Sequence, residues 1–214
     1  MEEKNARRGK LKIFLGYADG VGKTYAMLEA AQQRKQESVD VVVGWVETYN
    51  QIESELLLAG LEIIPPVYLA QGDKICGEMD LDTVLTRHPD LVLVDGMAHA
   101  NPPGARHAMR YQDVEELLDG GSDVYTTLNI QNLESLHDIV FQITGISMNE
   151  TIPDIVFDRA NIIELVDLPP DELLHRFRDG KVHIPESLAA QANPFFRPGN
   201  LIALRELSMR RVAG

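Results

Sequence analysis

Cysteine is nearly absent from this chain of 214 residues, which contains only Cys76. One thiol excludes a disulfide within the chain, and a lack of cysteine pairs is typical of proteins from a reducing cytoplasm. Nothing in the sequence around Cys76 marks it as a reactive thiol, so we expect a packed or half-exposed side chain without a chemical role.

Long apolar runs are absent as well. No stretch approaches the roughly 18 apolar residues that a membrane helix needs. The charged N-terminal segment MEEKNARRGK also lacks the apolar stretch of a signal peptide. We therefore expect a cytoplasmic chain that does not itself insert into a membrane.

Positive charge is scarce, because 20 Lys and Arg residues stand against 33 Asp and Glu residues, for a formal net charge of -13. A surface this acidic repels nucleic acid and anionic lipid, so neither is an expected partner. It still allows a local cationic pocket for a phosphate. The hydrophobic fraction of 44% is ample for a packed core, and the length suits one large domain, alone or with an appendage.

Apolar, β-branched runs alternate with helical patterns along the chain. Strand candidates lie at residues 12–15, 39–46, 91–94, 123–128 and 162–166, and LEIIPPVYL is limited to an edge strand by Pro65 and Pro66. Helix candidates include residues 51–58, 80–88 (capped by Asp80), 111–118 and 131–143. This alternation predicts an α/β fold with a mostly parallel sheet flanked by helices.

The domain organisation follows from these patterns. We interpret residues 1–10 as a flexible lead-in and residues 11–180 as the α/β domain. Residues 181–214 contain no strong strand and carry FFRPGN followed by the helical LIALRELSMRRV. They are predicted to form a helical appendage or a connector.

The first strand and the first helix flank the segment GVGKT, which comprises Gly20, Val21, Gly22, Lys23 and Thr24. Glycines in this position let the backbone N–H groups turn inward around a phosphate, and the positive end of the helix points at the same place. The lysine can reach the β- and γ-phosphates, and the threonine offers a hydroxyl to Mg²⁺. The segment therefore predicts a phosphate loop that binds a nucleotide.

Two residues depart from the phosphate-loop pattern. Tyr17 stands where the pattern has its first glycine, and Asp19 lies where an anionic phosphate should arrive. A bulky Tyr17 side chain could crowd the base of the loop. A carboxylate facing a phosphate at ~4 Å costs about 1–4 kcal/mol, depending on screening, unless the side chain turns outward.

A second acid is expected to hold Mg²⁺ together with Thr24. Asp95 directly follows the apolar run LVLV, at the end of a buried strand where such a carboxylate is needed. Gly96 follows Asp95 where hydrolysing ATPases often have a glutamate, which favours nucleotide binding without efficient hydrolysis. Asn129 ends another strand at the same rim and is either a γ-phosphate contact or a helix N-cap.

Several longer stretches together resemble one family. RYQDVEELL, DVYTTLNIQNLESL, ELVDLPPDELL and FFRPGNLIALRELSMRR, with the phosphate loop, are similar to the N-terminal cytoplasmic domain of the KdpD family, the sensor histidine kinases of potassium-responsive two-component systems. The resemblance covers nearly the entire chain. It implies a fold similar to P-loop ATPases and binding of ATP that tunes the kinase and phosphatase activities of a sensor anchored in the membrane.

The resemblance also indicates the site residues. Gly20, Val21, Gly22, Lys23, Thr24, Asp95 and His99 match the family pattern as nucleotide-site residues, with Thr24 and Asp95 toward Mg²⁺. The family commonly has Asp-Glu-Leu-Ala-His where this chain reads DGMAH, so Gly96 replaces an acid. The phosphoacceptor histidine and the kinase ATP motifs are absent from these residues, and the partner expected is the remainder of the sensor.

Three functions stay open from the sequence. The first is a regulatory ATP-binding module without an assigned catalytic residue. The second is an active ATPase or small-molecule kinase whose base lies elsewhere, with Glu47 and Asp167 as spare acids at strand ends. The third is a docking scaffold with a phosphate-loop fold that binds no nucleotide.

Overall fold

The computed structural model describes residues 7–186 and 188–214, so residues 1–6 of the predicted lead-in and residue 187 of the predicted appendage lie outside the described residues. The strands are β1 (Leu11–Gly16), β2 (Val41–Trp45), β3 (Glu62–Ile63), β4 (Val67–Gln71), β5 (Lys74–Glu78), β6 (Leu91–Val94), β7 (Asp123–Asn129) and β8 (Ile162–Leu165). Six of them form one sheet in the order β3, β2, β6, β7, β1, β8, with parallel pairing throughout. The predicted α/β fold with a parallel sheet is confirmed.

Helices connect and cover these strands. They are α1 (Lys23–Gln36), α2 (Ile52–Leu58), α3 (Leu81–Arg87), α4 (Arg110–Asp119), α5 (His137–Thr144), α6 (Asp154–Asp158), α7 (Pro170–Arg178), α8 (Ala192–Phe195) and α9 (Pro198–Ala213). The predicted cap of α3 is present, because the Asp80 side chain accepts a hydrogen bond from the Thr83 N–H at 3.0 Å. None of the helices in the described ranges is long and apolar enough to cross a bilayer.

The central strands are buried on both faces. All four residues of β6 are buried, as are the first four of β2, which explains why their sequences are nearly continuous apolar runs. Parallel strands place their carboxyl ends at one edge of the sheet. The loops that follow β1, β2, β6 and β7 therefore meet at that edge, where ligands bind in open α/β sheets.

A β-hairpin between β3 and α3 was not predicted. The strands β4 and β5 pair antiparallel, from Val67 opposite Glu78 to Gln71 opposite Lys74, and form a separate small sheet. The predicted edge position of the preceding segment is correct, since β3 is the terminal strand of the main sheet and Pro65 and Pro66 follow it.

The helix predicted over residues 131–143 is partly wrong. The chain first makes two short 3₁₀ turns, Ile130–Asn132 and Glu134–Leu136, and α5 begins only at His137. The backbone of this stretch bonds to a distant segment instead, since the Asn132 carbonyl accepts from the Ile152 N–H at 2.8 Å. A backbone that pairs with another segment cannot also form a continuous α-helix.

The C-terminal residues pack onto the sheet domain. Leu201 and Leu204 of α9 are fully buried in the same apolar cluster as Ile13 and Leu15 of β1. A fork of two hydrogen bonds from Arg205 to the Asp167 carboxylate adds a polar contact after β8. The helical C-terminal end is thus confirmed, while the division of the chain at residue 180 stays a prediction.

Candidate functional site

The glycine loop lies between β1 and α1 at the carboxyl edge of the sheet. Gly20 and Gly22 have φ angles of 88° and 102°, values that side chains disfavour. Gly22 is the N-cap of α1, so the free N–H groups and the positive end of this helix face the loop. A Cβ atom on Gly22 would meet no heavy atom within 4 Å, so the loop is open on that side.

Lys23 folds back over the loop. Its side chain is 9% exposed, and its Nζ donates a hydrogen bond to the Ala18 carbonyl at 3.0 Å. Burial lowers the pKa of Lys23, while the nearby charges of Asp19 and Asp95 oppose that shift.

The aliphatic part of the Lys23 side chain passes beside Gly16, where a Cβ atom would be 2.8 Å from the Lys23 Cδ. Gly16, one position before Tyr17, thus supplies the space that the missing first glycine of the pattern would give.

Tyr17 does not crowd the loop. Its side chain is fully buried in the core, and its hydroxyl donates to the Leu168 carbonyl at 2.6 Å. Burial, with a contribution from Asp167, raises the pKa of Tyr17 to about 12. The expected crowding is therefore wrong, because this side chain is buried in the core and points toward Leu168, which follows β8.

Asp19 faces the site instead of turning outward. Its Oδ1 accepts a hydrogen bond from the Asn129 Nδ2 at 2.8 Å and lies 3.7 Å from the Lys23 Nζ. Asn129 makes no capping bond to the following turn. The structure thus brings the Asn129 side chain to the loop, while its contact with a γ-phosphate stays a prediction. The Asp19 carboxylate is the anionic group that a phosphate would meet there.

Asp95 and Thr24 meet where a metal ligand pair is predicted. Thr24 Oγ1 donates to Asp95 Oδ2 at 2.9 Å, and Thr127 Oγ1 donates to the other carboxylate oxygen. Burial raises the pKa of Asp95, and the hydrogen bonds from Thr127 and Thr24 partly offset that rise. A buried carboxylate in direct contact with a threonine hydroxyl fits the oxygen-ligand preference of Mg²⁺. Thr24 and Asp95 would hold the ion, which would neutralise phosphate charge.

A buried ionic cluster lies behind Asp95 and was missed from the sequence. Arg110 donates to the Asp95 carbonyl at 3.0 Å and to Glu78 Oε2 at 2.7 Å. His99 Nε2 lies 2.7 Å from Glu78 Oε1, so the His99 side chain joins the Glu78–Arg110 pair and does not itself bond to the Asp95 carboxylate in the described residues. Gly96 has a φ of 71°. A Cβ atom built on Gly96 would lie 3.4 Å from the Arg110 guanidinium. Glu78 ends the unpredicted hairpin, which explains why no sequence pattern indicated it.

Residues 179–186, here called the covering segment, close the Gly20 side of the loop. A Cβ atom on Gly20 would be 2.6 Å from Val182 Cγ2, and the His183 ring stacks on Tyr49 with centroids 3.5 Å apart and planes 8° apart. Arg176, just before this segment, donates to the Gly20 carbonyl at 3.3 Å. The loop therefore has one open face at Gly22 and one covered face at Gly20.

These features define a class of protein. A parallel α/β sheet, a glycine loop between β1 and α1, and a Thr24–Asp95 pair at the carboxyl edge make this a P-loop type α/β domain. The chain belongs to the KdpD sensor-domain family, described as "KdpD: Osmosensitive K+ channel His kinase sensor domain", which matches residues 7–214.

The most similar relatives include three proteins with the KdpD name. Sensor protein KdpD of Clostridium acetobutylicum is 51% identical over 212 residues, which cover 99% of this chain and 24% of that protein. Sensor protein KdpD of Escherichia coli K12 is 50% identical over 206 residues, covering 96% and 23%. A putative sensor protein KdpD of Synechocystis is 47% identical over 207 residues, covering 97% and 56%. The chain thus spans about a quarter of the first two relatives.

Among solved structures, flagellar accessory protein FlaH of Methanocaldococcus jannaschii aligns with a TM-score of 0.43 at 17% identity, covering 76% of this chain and 73% of that one.

Proposed function

We propose that this domain binds Mg²⁺–ATP at the Gly20–Thr24 loop, and that its occupancy tunes the balance of kinase and phosphatase activity in a potassium-responsive sensor histidine kinase. The observation that carries the proposal is the Thr24–Asp95 hydrogen bond of 2.9 Å beside the buried Lys23. These are the hydroxyl, carboxylate and ammonium that Mg²⁺ and the β- and γ-phosphates require.

The electrostatics of the site support an anionic ligand with its metal. The loop offers inward N–H groups at the start of α1, and within the described residues the Lys23 ammonium contacts one carbonyl and one carboxylate. The overall charge of -13 disfavours a polyanion elsewhere on the surface, so a metal-neutralised nucleotide at this local site is the ligand that fits best.

A route for the signal runs through the covering segment. Gly20, which would contact the phosphate, lies against Val182, and its carbonyl accepts a hydrogen bond from Arg176. From the covering segment the chain continues into α8 and α9. A ligand shifts a conformational equilibrium only through unequal affinity for its states. ATP would therefore act by favouring one arrangement of the loop against the covering segment.

Calorimetric titration with ATP and ADP, with and without Mg²⁺, tests the binding. Lys23→Ala is expected to lower the affinity for ATP ~10-fold or more, since a hydrogen bond to a charged group contributes about 1.5–3 kcal/mol. Lys35→Ala is the matched control, because Lys35 lies on the same helix and its side chain bonds to the Gly60 carbonyl, away from the loop. Equal affinity of wild type and Lys23→Ala, or no binding by wild type at millimolar ATP, would overturn the proposal.

The regulatory part needs the whole sensor. Autophosphorylation and dephosphorylation are measured for the full-length protein in membrane vesicles, with Lys23→Ala compared with Lys35→Ala. We expect the ratio of the two rates to change only in the Lys23 variant. An unchanged ratio despite lost ATP binding would separate nucleotide binding from regulation and reject the tuning role.

A further inference from the structure

Four acids follow strands of the main sheet at its carboxyl edge: Asp19 after β1, Glu47 after β2, Asp95 after β6 and Asp167 after β8. An acid that removes a proton from an attacking nucleophile must be free of a permanent cationic partner and near the γ-phosphate side of the loop. Because Gly96 supplies no acid, the contacts of these four decide which could act.

Three of the four are committed to other contacts. Asp95 accepts hydroxyl bonds from Thr24 and Thr127, and Asp19 accepts from Asn129 and faces Lys23. Asp167 is held in a fork by Arg205 and lies after β8, on the far side of β1 from Asp95. The Arg205 partner makes Asp167 a poor proton acceptor and ties it to α9.

Glu47 differs from the other three. In the part of the chain that the structure describes, its carboxylate takes part in no ion pair and accepts a hydrogen bond only from the neutral Tyr49 hydroxyl. β2 is the direct neighbour of β6, and the Asp95 N–H donates to the Trp45 carbonyl at 2.8 Å. Glu47, two residues beyond Trp45, therefore stands beside the Asp95 end of the site.

The covering segment contacts the same corner of the site. Tyr49, which holds the Glu47 carboxylate, is stacked under His183, and Gln51 donates to the Lys181 carbonyl at 3.3 Å. Val182 closes the loop at Gly20. Glu47 itself is exposed and Tyr49 is 46% exposed, so water can reach this carboxylate from solvent.

We propose that Glu47 is the general base of an ATP-hydrolysing site, taking the place of the acid absent at Gly96. This inference rests on the proposed binding of Mg²⁺–ATP at the loop. The oxygen of a water molecule bonds to the γ-phosphorus while the bond from that phosphorus to the β–γ bridging oxygen breaks. The water proton passes to the Glu47 carboxylate and then to solvent, and ADP and phosphate leave.

Single-turnover phosphate release with Mg²⁺–ATP compares wild type, Glu47→Gln and Asp167→Asn. Positioned general bases contribute typically ~10²–10⁴-fold, so we expect Glu47→Gln to slow release by about that factor. Asp167→Asn is the matched control, an acid-to-amide change at another strand end of the same sheet, and is expected to stay within about twofold of wild type.

A second readout does not depend on turnover. Calorimetry with ADP and aluminium fluoride, which mimics the phosphoryl group in transfer, should show weaker binding in Glu47→Gln, while affinity for ATP itself stays within about threefold of wild type. Weaker binding of ADP with aluminium fluoride at unchanged ATP affinity distinguishes a base that contacts the attacking water from a residue that only supports the fold.

The outcomes are separable. If wild type binds no ATP, the proposed function fails and the inference fails with it. If wild type binds ATP but releases no phosphate, or if Glu47→Gln releases phosphate at the wild-type rate, only the role of Glu47 is refuted. Equal losses in Glu47→Gln and Asp167→Asn would also refute it.

Discussion

At the scale of single residues, we expect Asp19 to limit how strongly the loop attracts an anion. Its carboxylate lies 3.7 Å from the Lys23 Nζ, where it meets the lysine that a phosphate would need. Replacing Asp19 by Asn removes the negative charge and keeps an oxygen that can accept the bond from Asn129. A carboxylate that faces a phosphate weakens its binding by about 1–4 kcal/mol. We therefore expect Asp19→Asn to raise the affinity for ATP by roughly tenfold or more.

Calorimetry at low and moderate salt measures this effect. Asp73→Asn makes the same charge change in the turn of the hairpin and serves as the control, with an expected change below about twofold. A loss of affinity in Asp19→Asn would mean that Asp19 orders the loop more than it repels the ligand.

Tyr17 provides a second test at the residue scale. Its buried hydroxyl bonds to the Leu168 carbonyl at 2.6 Å, so Tyr17→Phe leaves that carbonyl without its partner in the core. We expect the free energy of unfolding in urea to fall by about 1–3 kcal/mol. Affinity for ATP should not change, because the ring points away from the loop. Weaker ATP binding at full stability would show that Tyr17 contributes to the site directly.

At the scale of elements, sequence patterns were most informative where burial is complete. The apolar run of β6 predicts both a central strand and the position of Asp95, and the segment after β1 predicts a phosphate loop. The hairpin escaped prediction because β4 and β5 are mostly exposed or half-buried and carry no regular apolar pattern. The contacts of Val182, Arg110 and Gly16 depend on how distant segments meet, and spacing along the chain does not encode them.

The hairpin matters because it brings Glu78 to Arg110. Both side chains are buried, at 8% and 4% exposure, and their atoms are 2.7 Å apart. Removing one member of a buried pair leaves the other charge uncompensated. We therefore expect Glu78→Gln to cost about 3–5 kcal/mol at neutral pH. Glu62→Gln is the control, since its pair with Arg87 is largely exposed and should contribute less than about 1 kcal/mol.

The same pair predicts a dependence on pH. Burial raises the pKa of Glu78, but the bonds from His99 and Arg110 outweigh it and hold the pKa below the ordinary 4.5. A carboxyl with a depressed pKa stabilises the fold above its ordinary pKa and loses that stabilisation as pH falls through the folded-state pKa. In urea unfolding, the difference between wild type and Glu78→Gln should shrink below about pH 4.5. A difference that stays constant down to pH 3 would contradict this assignment.

At the scale of the whole molecule, one apolar cluster runs from the sheet to the C-terminal helix. It contains Leu15 of β1, Phe195 and Phe196 near α8, and Leu204 of α9, each buried. Elements that share one core unfold together, whereas an appendage with its own contacts unfolds separately. The boundary predicted at residue 180 can therefore be tested by cooperativity, and the signal route proposed through the covering segment requires that α9 respond with the sheet.

Leu204→Ala tests this coupling from the side farthest in sequence from the loop. Deleting a fully buried leucine side chain costs about 2–5 kcal/mol. Unfolding is followed by far-UV circular dichroism and by the fluorescence of Trp45, the one tryptophan, which lies at the end of β2. If the core is continuous, both signals shift together to lower urea and remain coincident. If residues 181–214 form an independent appendage, helical signal is lost first while the Trp45 transition stays at its wild-type midpoint. That result would also remove the physical basis for passing a loop-bound ligand's effect into α9.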